Sequence, residues 1–292
     1  MTDNQKIISN AEFIALFEPQ ASVIAASQVG FALVSVIGSA EDATLGGSGT
    51  LVAIDDQLGI LTADHVVRNF FKHKENGTVG LILAQHGQSP THKLMINPKP
   101  EECIVYRRLP YSAEGPDLAF VPLDHEIISA IKPQKIFYNL TKRRDRMLSN
   151  PPGTELGAWI ISGMAHEWTM DAADHSPLRK KIFRGMIGEV KPGSRKNQNG
   201  LDYQSIYVVA GPESGWPKSY EGYSGSGIWQ VLLKQVDGKL EIGERLLLCV
   251  AFYESEVLLK DGRQVRELSC HGRESIYGAL IDAVRNKART GN

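Results

Sequence analysis

Three residue types that together perform acyl transfer occur in this sequence, and the first is a serine set among glycines. Ser224 lies in the stretch from Tyr220 to Trp229, directly ahead of an apolar strand pattern. Gly222 and Gly225 supply backbone angles that a residue with a Cβ resists, so we expect a tight turn with the hydroxyl exposed. The N–H groups of Gly222 and Ser224 would then form a small anion-binding nest. Taken alone, such a stretch is more typical of a surface loop.

The second residue is a histidine that follows directly on an apolar strand pattern. Among eight histidines, only His65 has this context, in the stretch from Leu61 to Val67. We expect it where a strand gives way to a short helix, in a fixed position facing a cleft. A serine nucleophile needs such a base, and the base needs an acid that orients it. Without those partners, a histidine here would be a surface or core residue.

The third residue is Asp117, which opens the apolar run Leu118–Leu123 after Gly115 and Pro116. A carboxylate at the start of an alternating apolar run is expected to be partly buried, and a buried carboxylate requires a partner. By itself the residue would also fit a turn after Gly-Pro. The order His65, Asp117, Ser224 leaves enough chain between each pair for several strands.

Composition limits the classes of function. The 292 residues carry a formal net charge of -1, which argues against nucleic acid or an anionic membrane surface as a partner. The three cysteines are widely spaced and form no C-x-x-C pair, so we expect a reducing compartment, free thiols and no metal or other cofactor. Residues 1–6 are polar and no apolar run reaches membrane-spanning length, so a cytoplasmic location is predicted.

The elements that must position these residues are mostly strands. Helices are predicted at 9–17, ended by Pro19, at 125–131 and at 274–287. The charged and then proline-rich segment 141–153 is the best linker candidate. Short strands on either side of it favour two antiparallel barrels or one large sandwich. The predicted strands are 31–37, 46–54, 58–62, 78–84, 92–96, 102–108, 117–122 and 134–140 before the linker, then 156–163, 182–190, 204–210, 227–234, 240–253 and 263–269.

As an ordered set, the motifs Thr62-Ala-x-His65, Asp117-Leu-Ala-x-Val121 and Gly222-x-Ser224-Gly-Ser resemble those of trypsin-like serine peptidases of chymotrypsin fold. Gly47–Val52 is similar to the Gly-Ser-Gly strand that precedes the histidine in many bacterial members. The resemblance implies an all-β protein with two six-stranded antiparallel barrels, the active site in the cleft between them, and a short helix at each end. The implied organisation is a 1–28 extension, a 29–140 first barrel, a 141–153 linker, a 154–273 second barrel and a 274–292 helix.

The same resemblance implies a role for each site residue. Ser224 would be the nucleophile, His65 the general base and later acid, and Asp117 the group that holds the His65 tautomer. The N–H groups of Gly222 and Ser224 would form the oxyanion hole. Tyr223 stands where secreted digestive members have an aspartate that pairs with a new N-terminus. Activation by that ion pair is therefore not expected, and the chain looks more like intracellular or bacterial stand-alone members.

The substrate pocket is implied by counting from the nucleophile. Lys218 would lie at the base of the primary pocket and favour an acidic substrate side chain, although an exposed lysine is the commoner outcome. The pocket wall would come from Ala251, Phe252 and Tyr253, where aromatic bulk either narrows the pocket or belongs to the core.

The function predicted from these residues is a serine endopeptidase that acts on protein or peptide substrates, with a regulatory protein partner as a weaker hypothesis. Two alternatives stay open: a dormant trypsin-like module that serves as a binding scaffold, and an esterase that uses the same triad. Ser226 is a less suitable nucleophile because Ser224 would then replace the oxyanion glycine. An α/β-hydrolase elbow is set aside because a strand pattern, not a helix, follows the serine.

Overall fold

The computed structural model describes residues 10–37, 40–73, 78–83, 92–107, 115–153, 157–171, 181–182, 185–209, 217–237, 239–260 and 263–290. Strands dominate these segments and form two antiparallel units, which follow one another along the chain. We call the first unit the N-terminal sheet and the second the C-terminal barrel. A helix lies at each end of the described chain. The predicted all-β class with two antiparallel units is thereby confirmed.

Within the described residues the N-terminal sheet has eight strands, whereas the resemblance to trypsin-like peptidases implies a six-stranded barrel. They are β1 (Gln28–Ile37), β2 (Ala40–Ile54), β3 (Gln57–Thr62), β4 (Thr78–Leu83), β5 (His92–Ile96), β6 (Ile104–Tyr106), β7 (Leu118–Pro122) and β8 (Tyr138–Asn139). The hydrogen-bonded order is β5-β4-β1-β2-β3-β7-β6. The short β8 joins β2 in parallel, opposite Val52 and Ala53, and thereby raises the strand count.

The C-terminal unit is a closed six-stranded barrel, as expected. Its strands are β9 (Ala158–Met164), β12 (Gly185–Gln198), β13 (Leu201–Val209), β14 (Gly227–Val236), β15 (Lys239–Lys260) and β16 (Arg263–His271), in the order β12-β13-β16-β15-β14-β9. Two short strands, β10 (Met170–Asp171) and β11 (Lys181–Ile182), pair with each other beside it. A turn at Asp237 joins β14 to β15. A second turn, at Asn199 and Gly200, joins β12 to β13 and was not predicted.

The N-terminal helix α1 (Asn10–Ala25) runs through Pro19, so the prediction that Pro19 ends it is wrong. A proline inside a helix removes a backbone donor and is destabilising. Packing outweighs this cost, because one face of the helix is buried both before and after the proline, at Phe17, Ala21 and Ile24.

Further helices lie close to the strand ends. They are α2 (Asp64–His73), α3 (His125–Ile131), α4 (Arg144–Ser149), a π-helix (Glu274–Leu280) and α5 (Ile281–Thr290). The predicted helices at 125–131 and 274–287 are confirmed, and the second extends to residue 290. Within the predicted linker 141–153, α4 buries Met147 completely. That segment is therefore packed structure, while the domain bounds themselves stay a prediction.

The two units share buried contacts. Ser162 Oγ of β9 donates a 2.6 Å hydrogen bond to Gln28 Oε1 of β1. The Lys135 ammonium, which is almost fully buried, donates to the carbonyl oxygens of Ala25 and Gln28, both at 2.9 Å. Burial lowers the pKa of Lys135 to about 8. The end of α1 and the start of β1 are therefore fixed at the junction of the two units.

Candidate active site

His65 and Asp117 form a direct hydrogen-bonded pair. His65 Nδ1 lies 2.7 Å from Asp117 Oδ2, and the His65 backbone N–H donates to Asp117 Oδ1 at 2.8 Å. The carboxylate is fully buried, whereas the His65 side chain is 30% exposed. Because both carboxylate oxygens accept from one residue, the imidazole is held in a single orientation with Nε2 on the side away from Asp117.

Strand pairing explains why these two residues meet. β3 and β7 are antiparallel partners, with Thr62 opposite Ala119. The C-terminal end of β3 and the N-terminal start of β7 therefore lie side by side, at the same end of these two paired strands. His65 follows β3 in the first turn of α2, and Asp117 immediately precedes β7. The apolar strand patterns from which His65 and Asp117 were predicted are β3 and β7, and the pairing of these strands brings the two residues together.

A third residue contacts Asp117 from the C-terminal barrel. The Asp117 backbone N–H donates a 2.9 Å hydrogen bond to Nε2 of His271, the last residue of β16. His271 is fully buried, and burial lowers its pKa to about 4 against the opposing effect of Asp117 and Asp202. His271 was not predicted as a site residue, because its only sequence signal is a histidine at the end of an alternating strand pattern.

A second buried carboxylate lies beside the pair and has its own partner. Asp64 is fully buried and lies 2.7 Å from Arg68 Nε, one helical turn along α2. Burial raises the pKa of Asp64, and the charge of Asp117 adds to this, while Arg68 opposes it. Asp64 is thus paired with Arg68, and of the two acids it is Asp117 that bonds the His65 imidazole.

Ser224 lies on the predicted turn and is partly exposed. Its carbonyl oxygen accepts a 2.8 Å hydrogen bond from the Ser48 N–H of β2. The next N–H, that of Gly225, donates to the Ala251 carbonyl of β15 at 2.7 Å. The turn is thus held from the N-terminal sheet on one side and from the C-terminal barrel on the other.

The Ser224 turn reaches the start of α2, where His65 lies. A Cβ on Gly47 would be 2.6 Å from a methyl group of Val66 and 3.2 Å from the Ser224 carbonyl oxygen. Val66 directly follows His65, so the backbone of the Ser224 turn lies near the first turn of α2, while the assembly of the three site residues into one triad stays a prediction. Ser226, the rival nucleophile, is fully buried, and its hydroxyl has no hydrogen-bond partner within the described residues.

The Glu221–Gly222 peptide has a fixed orientation. The Glu221 carbonyl oxygen accepts a 2.8 Å hydrogen bond from the His166 N–H. In a trans peptide the N–H points opposite to the carbonyl, so the Gly222 N–H is directed away from His166. Neither this N–H nor that of Ser224 has an acceptor in the part of the chain that the structure describes. Gly222 has a φ of 93°, and a Cβ there would lie 2.7 Å from the Met164 carbonyl oxygen, so glycine is required.

Tyr223 fills the space behind the turn. It is 1% exposed, and its ring packs edge-on against Tyr220 with centroids 4.9 Å apart. A Cβ on Gly163 would be 2.6 Å from the Tyr223 ring, which shows how closely β9 approaches it. The turn is therefore supported by aromatic packing at the residue before Ser224.

The residues predicted for the substrate pocket separate into two groups. Phe252 and Tyr253 line a cavity of about 280 Å³ on the C-terminal barrel, together with Tyr203 and Lys196. Lys218 is exposed, does not line this cavity, and donates its backbone N–H to Glu167 Oε1 at 2.7 Å.

Ala251 is also absent from the cavity lining. It is buried, and its N–H donates to the Ser226 carbonyl oxygen at 3.0 Å. Its carbonyl oxygen accepts from Gly225, as described above. Ala251 therefore connects β15 to the Ser224 turn, and the pocket roles of Lys218 and Ala251 stay predictions.

Comparisons with known proteins give a distant likeness in fold. No protein-family model matches the chain, and no curated protein matches it. Among solved structures, it is similar to the crystal structure of tobacco vein mottling virus protease, with 10% sequence identity and a TM-score of 0.35. The similarity covers 93% of this chain and 83% of that protease. The fold described above therefore rests on the strand pairings of this chain.

The described segments show neither a metal-holding cluster nor a membrane-spanning helix. They contain no group of three or more histidine, cysteine, aspartate or glutamate side chains arranged to hold a metal ion. None of their helices has the length and apolar character needed to cross a membrane.

Proposed function

We propose that this protein is a serine endopeptidase that uses Ser224, His65 and Asp117. The observation that carries the proposal is the 2.7 Å contact between His65 Nδ1 and a fully buried Asp117 carboxylate, beside the partly exposed Ser224 turn. A buried carboxylate that accepts from Nδ1–H leaves Nε2 unprotonated and able to take a proton. This is the arrangement that activates a serine hydroxyl.

Acylation follows from these roles. Ser224 Oγ attacks the carbonyl carbon of the substrate peptide bond, and its proton passes to His65 Nε2 as the new C–O bond forms. The buried Asp117 carboxylate stabilises the resulting imidazolium. When the tetrahedral intermediate collapses, the C–N bond breaks and His65 Nε2 gives the proton to the leaving nitrogen. The products are an amine and an ester of Ser224.

Hydrolysis of the Ser224 ester by water then regenerates the free enzyme. A water molecule gives a proton to His65 Nε2 and attacks the carbonyl carbon of the acyl group on Ser224. The ester C–O bond then breaks, and His65 returns the proton to Ser224 Oγ. The chemistry needs no group beyond these side chains and water.

The N–H groups of Gly222 and Ser224 would hold the negative oxygen in both halves of the reaction. Both residues are partly exposed, and the lack of an acceptor in the described chain leaves these two N–H groups available to a substrate oxygen. The His166 contact to the Glu221 carbonyl supports this role, since it fixes the direction of the Gly222 N–H before substrate arrives. Donors fixed in this way typically contribute about 3 kcal/mol to lowering the barrier.

One feature favours a peptide over a small ester as substrate. β14 pairs with β15 only as far as Val250, and within the described residues the next part of β15 pairs with β16 alone. Phe252 therefore presents a strand edge close to Ser224. An extended peptide can add to such an edge through main-chain hydrogen bonds, with its side chains entering the adjacent 280 Å³ cavity.

The test is labelling by a fluorophosphonate probe, which reacts with an activated serine. We expect labelling of the wild-type protein at Ser224, none of Ser224→Ala, and strongly reduced labelling of His65→Ala. Ser226→Ala is the matched control and should label like the wild type. A folded wild-type protein that stays unlabelled would contradict the proposal and favour the binding-scaffold alternative.

Substrate profiling then separates peptidase from esterase. A library of peptides and a series of small aryl esters would be compared by kcat/KM, in both cases with Ser224→Ala as the blank. Cleavage of internal peptide bonds supports the endopeptidase. Turnover of esters without any peptide cleavage would overturn it.

A further inference from the structure

We infer that His271 is a positioning residue for Asp117, and that it aligns the proposed catalytic pair from the opposite β unit. This inference rests on the proposed function. His271 Nε2 accepts the Asp117 backbone N–H at 2.9 Å, while the Asp117 carboxylate holds His65. His271 thus fixes the backbone of Asp117, and the carboxylate of Asp117 in turn orients the His65 imidazole.

The hydrogen-bond pattern determines the tautomer of His271. A nitrogen that accepts an N–H is unprotonated, so the ring proton of neutral His271 lies on Nδ1. Nδ1 faces Ser275 Oγ at 3.4 Å. Ser275 is itself fixed, because its hydroxyl donates to the Asp202 carbonyl oxygen and accepts the Asp202 N–H, both at 2.9 Å. The imidazole therefore has a defined partner on each side.

The ring is also fixed by packing. His271 packs against both Tyr203 and Phe252, with ring centroids 5.0 Å and 4.9 Å away, and it is fully buried. These two rings line the 280 Å³ cavity proposed for the substrate. Neutrality fits this environment, since burial disfavours the imidazolium form.

Removal of the His271 acceptor has a specific consequence. Asp117 is fully buried, so its N–H would have no partner and its backbone would shift to find one. Such a shift tilts the Asp117 carboxylate, which accepts hydrogen bonds from the His65 backbone N–H and from His65 Nδ1. Misalignment of a base acts on the chemical step, so kcat is expected to fall while KM changes little.

Two variants separate the acceptor from the bulk of the ring. His271→Phe keeps an aromatic ring against Tyr203 and Phe252 but cannot accept a hydrogen bond. His271→Gln can place an amide oxygen near the position of Nε2. We expect kcat about 10-fold lower in the first variant and largely recovered in the second. His125→Phe, at an exposed position, is the control and should match the wild type.

A readout that does not depend on activity is the proton NMR signal of His65 Nδ1–H, which reports its bond to Asp117. We expect this signal to move in His271→Phe and to stay near its wild-type position in His271→Gln. A variant that loses only thermal stability, with kcat and this signal unchanged, would overturn the inference. Nitrogen NMR of the wild-type protein adds a test without mutation, since a proton found on His271 Nε2 would also overturn it.

These measurements distinguish the two proposals. If the wild-type protein neither labels nor cleaves peptides, yet the His65 signal depends on the His271 acceptor, the proposed function fails and the positioning role stands. If the protein is active but His271→Phe retains full kcat and an unchanged His65 signal, the positioning role fails alone.

Discussion

Ser48 Oγ donates a 2.7 Å hydrogen bond to the Gly222 carbonyl oxygen, and the two residues belong to different β units. The same hydroxyl oxygen accepts the Met164 N–H at 2.9 Å, while the Ser48 N–H donates to the Ser224 carbonyl oxygen. One residue of the N-terminal sheet therefore holds both ends of the Gly222–Ser224 segment. The proposed oxyanion hole depends on the N-terminal sheet as much as on the barrel that contains it.

We predict that Ser48→Ala impairs catalysis more than substrate binding. The change leaves the Gly222 carbonyl and the Met164 N–H without their partner, so the turn loses its fixed geometry. The expected results are a kcat about 10-fold lower and a free energy of unfolding lower by about 1–3 kcal/mol. Steady-state kinetics and urea unfolding measure the two effects. The exposed Ser129→Ala is the control, and equal kcat in both variants would contradict the prediction.

Ser224→Ala and Ser226→Ala should have opposite outcomes although the two serines are nearly adjacent. The first removes the proposed nucleophile, and we expect kcat to fall by about 10⁴-fold or more. The second removes a buried hydroxyl that has no partner among the described residues, so activity and stability should be retained. Labelling and peptide hydrolysis compare the variants. Loss of activity in Ser226→Ala alone would reassign the nucleophile.

Acid should destabilise the fold through His271. Burial lowers its pKa from an ordinary 6.5 to about 4, against the charges of Asp117 and Asp202. At a pH between these two pKa values, His271 is protonated in the unfolded chain but not in the folded chain. The free energy of unfolding should therefore lose up to about 3 kcal/mol as pH falls from 6.5 to 4.

Urea unfolding at several pH values measures this loss. His271→Gln lacks the titrating imidazole, so the stability of the wild-type protein relative to this variant should fall on acidification. Parallel stability curves for the two proteins would contradict the prediction.

The N-terminal helix is expected to be part of the folded core. Phe17 of α1 is 6% exposed, and Phe17→Ala should cost about 3–5 kcal/mol in unfolding free energy. Val23, on the same helix, is 37% exposed, and Val23→Ala should change stability by less than about 0.5 kcal/mol. Equal effects of the two substitutions would mean that α1 does not pack as described.

Local sequence patterns were sufficient for the residues that carry the proposed chemistry. His65 and Asp117 each adjoin a strand with a clear apolar pattern, so the pairing of β3 with β7 brings them together. The Ser224 turn could be predicted because Gly222 and Gly225 adopt positive-φ backbone angles that a residue with a Cβ resists.

The residues that support the site could not be predicted in the same way. His271, Ser48 and Gln28 act through partners far along the chain, and no local pattern indicates which distant backbone group a polar side chain will meet. The continuation of α1 through Pro19 has a similar cause, because burial of Phe17 and Ile24 outweighs the local preference. The pocket role that counting from the nucleophile gives Lys218 stays a prediction, and the structure adds that its backbone N–H is bonded to Glu167.

The C-terminal helices cross from the barrel back to the N-terminal sheet. Arg285 forms an ion pair with Asp55 at 2.9 Å, the Tyr106 hydroxyl donates to the Ala279 carbonyl at 2.9 Å, and Lys287 donates to the Cys103 carbonyl at 3.2 Å. A protease that cut the chain once between the two units would therefore leave two fragments that remain associated. Fragments produced separately should also reassemble on mixing, so an apparently nicked preparation can still be fully functional.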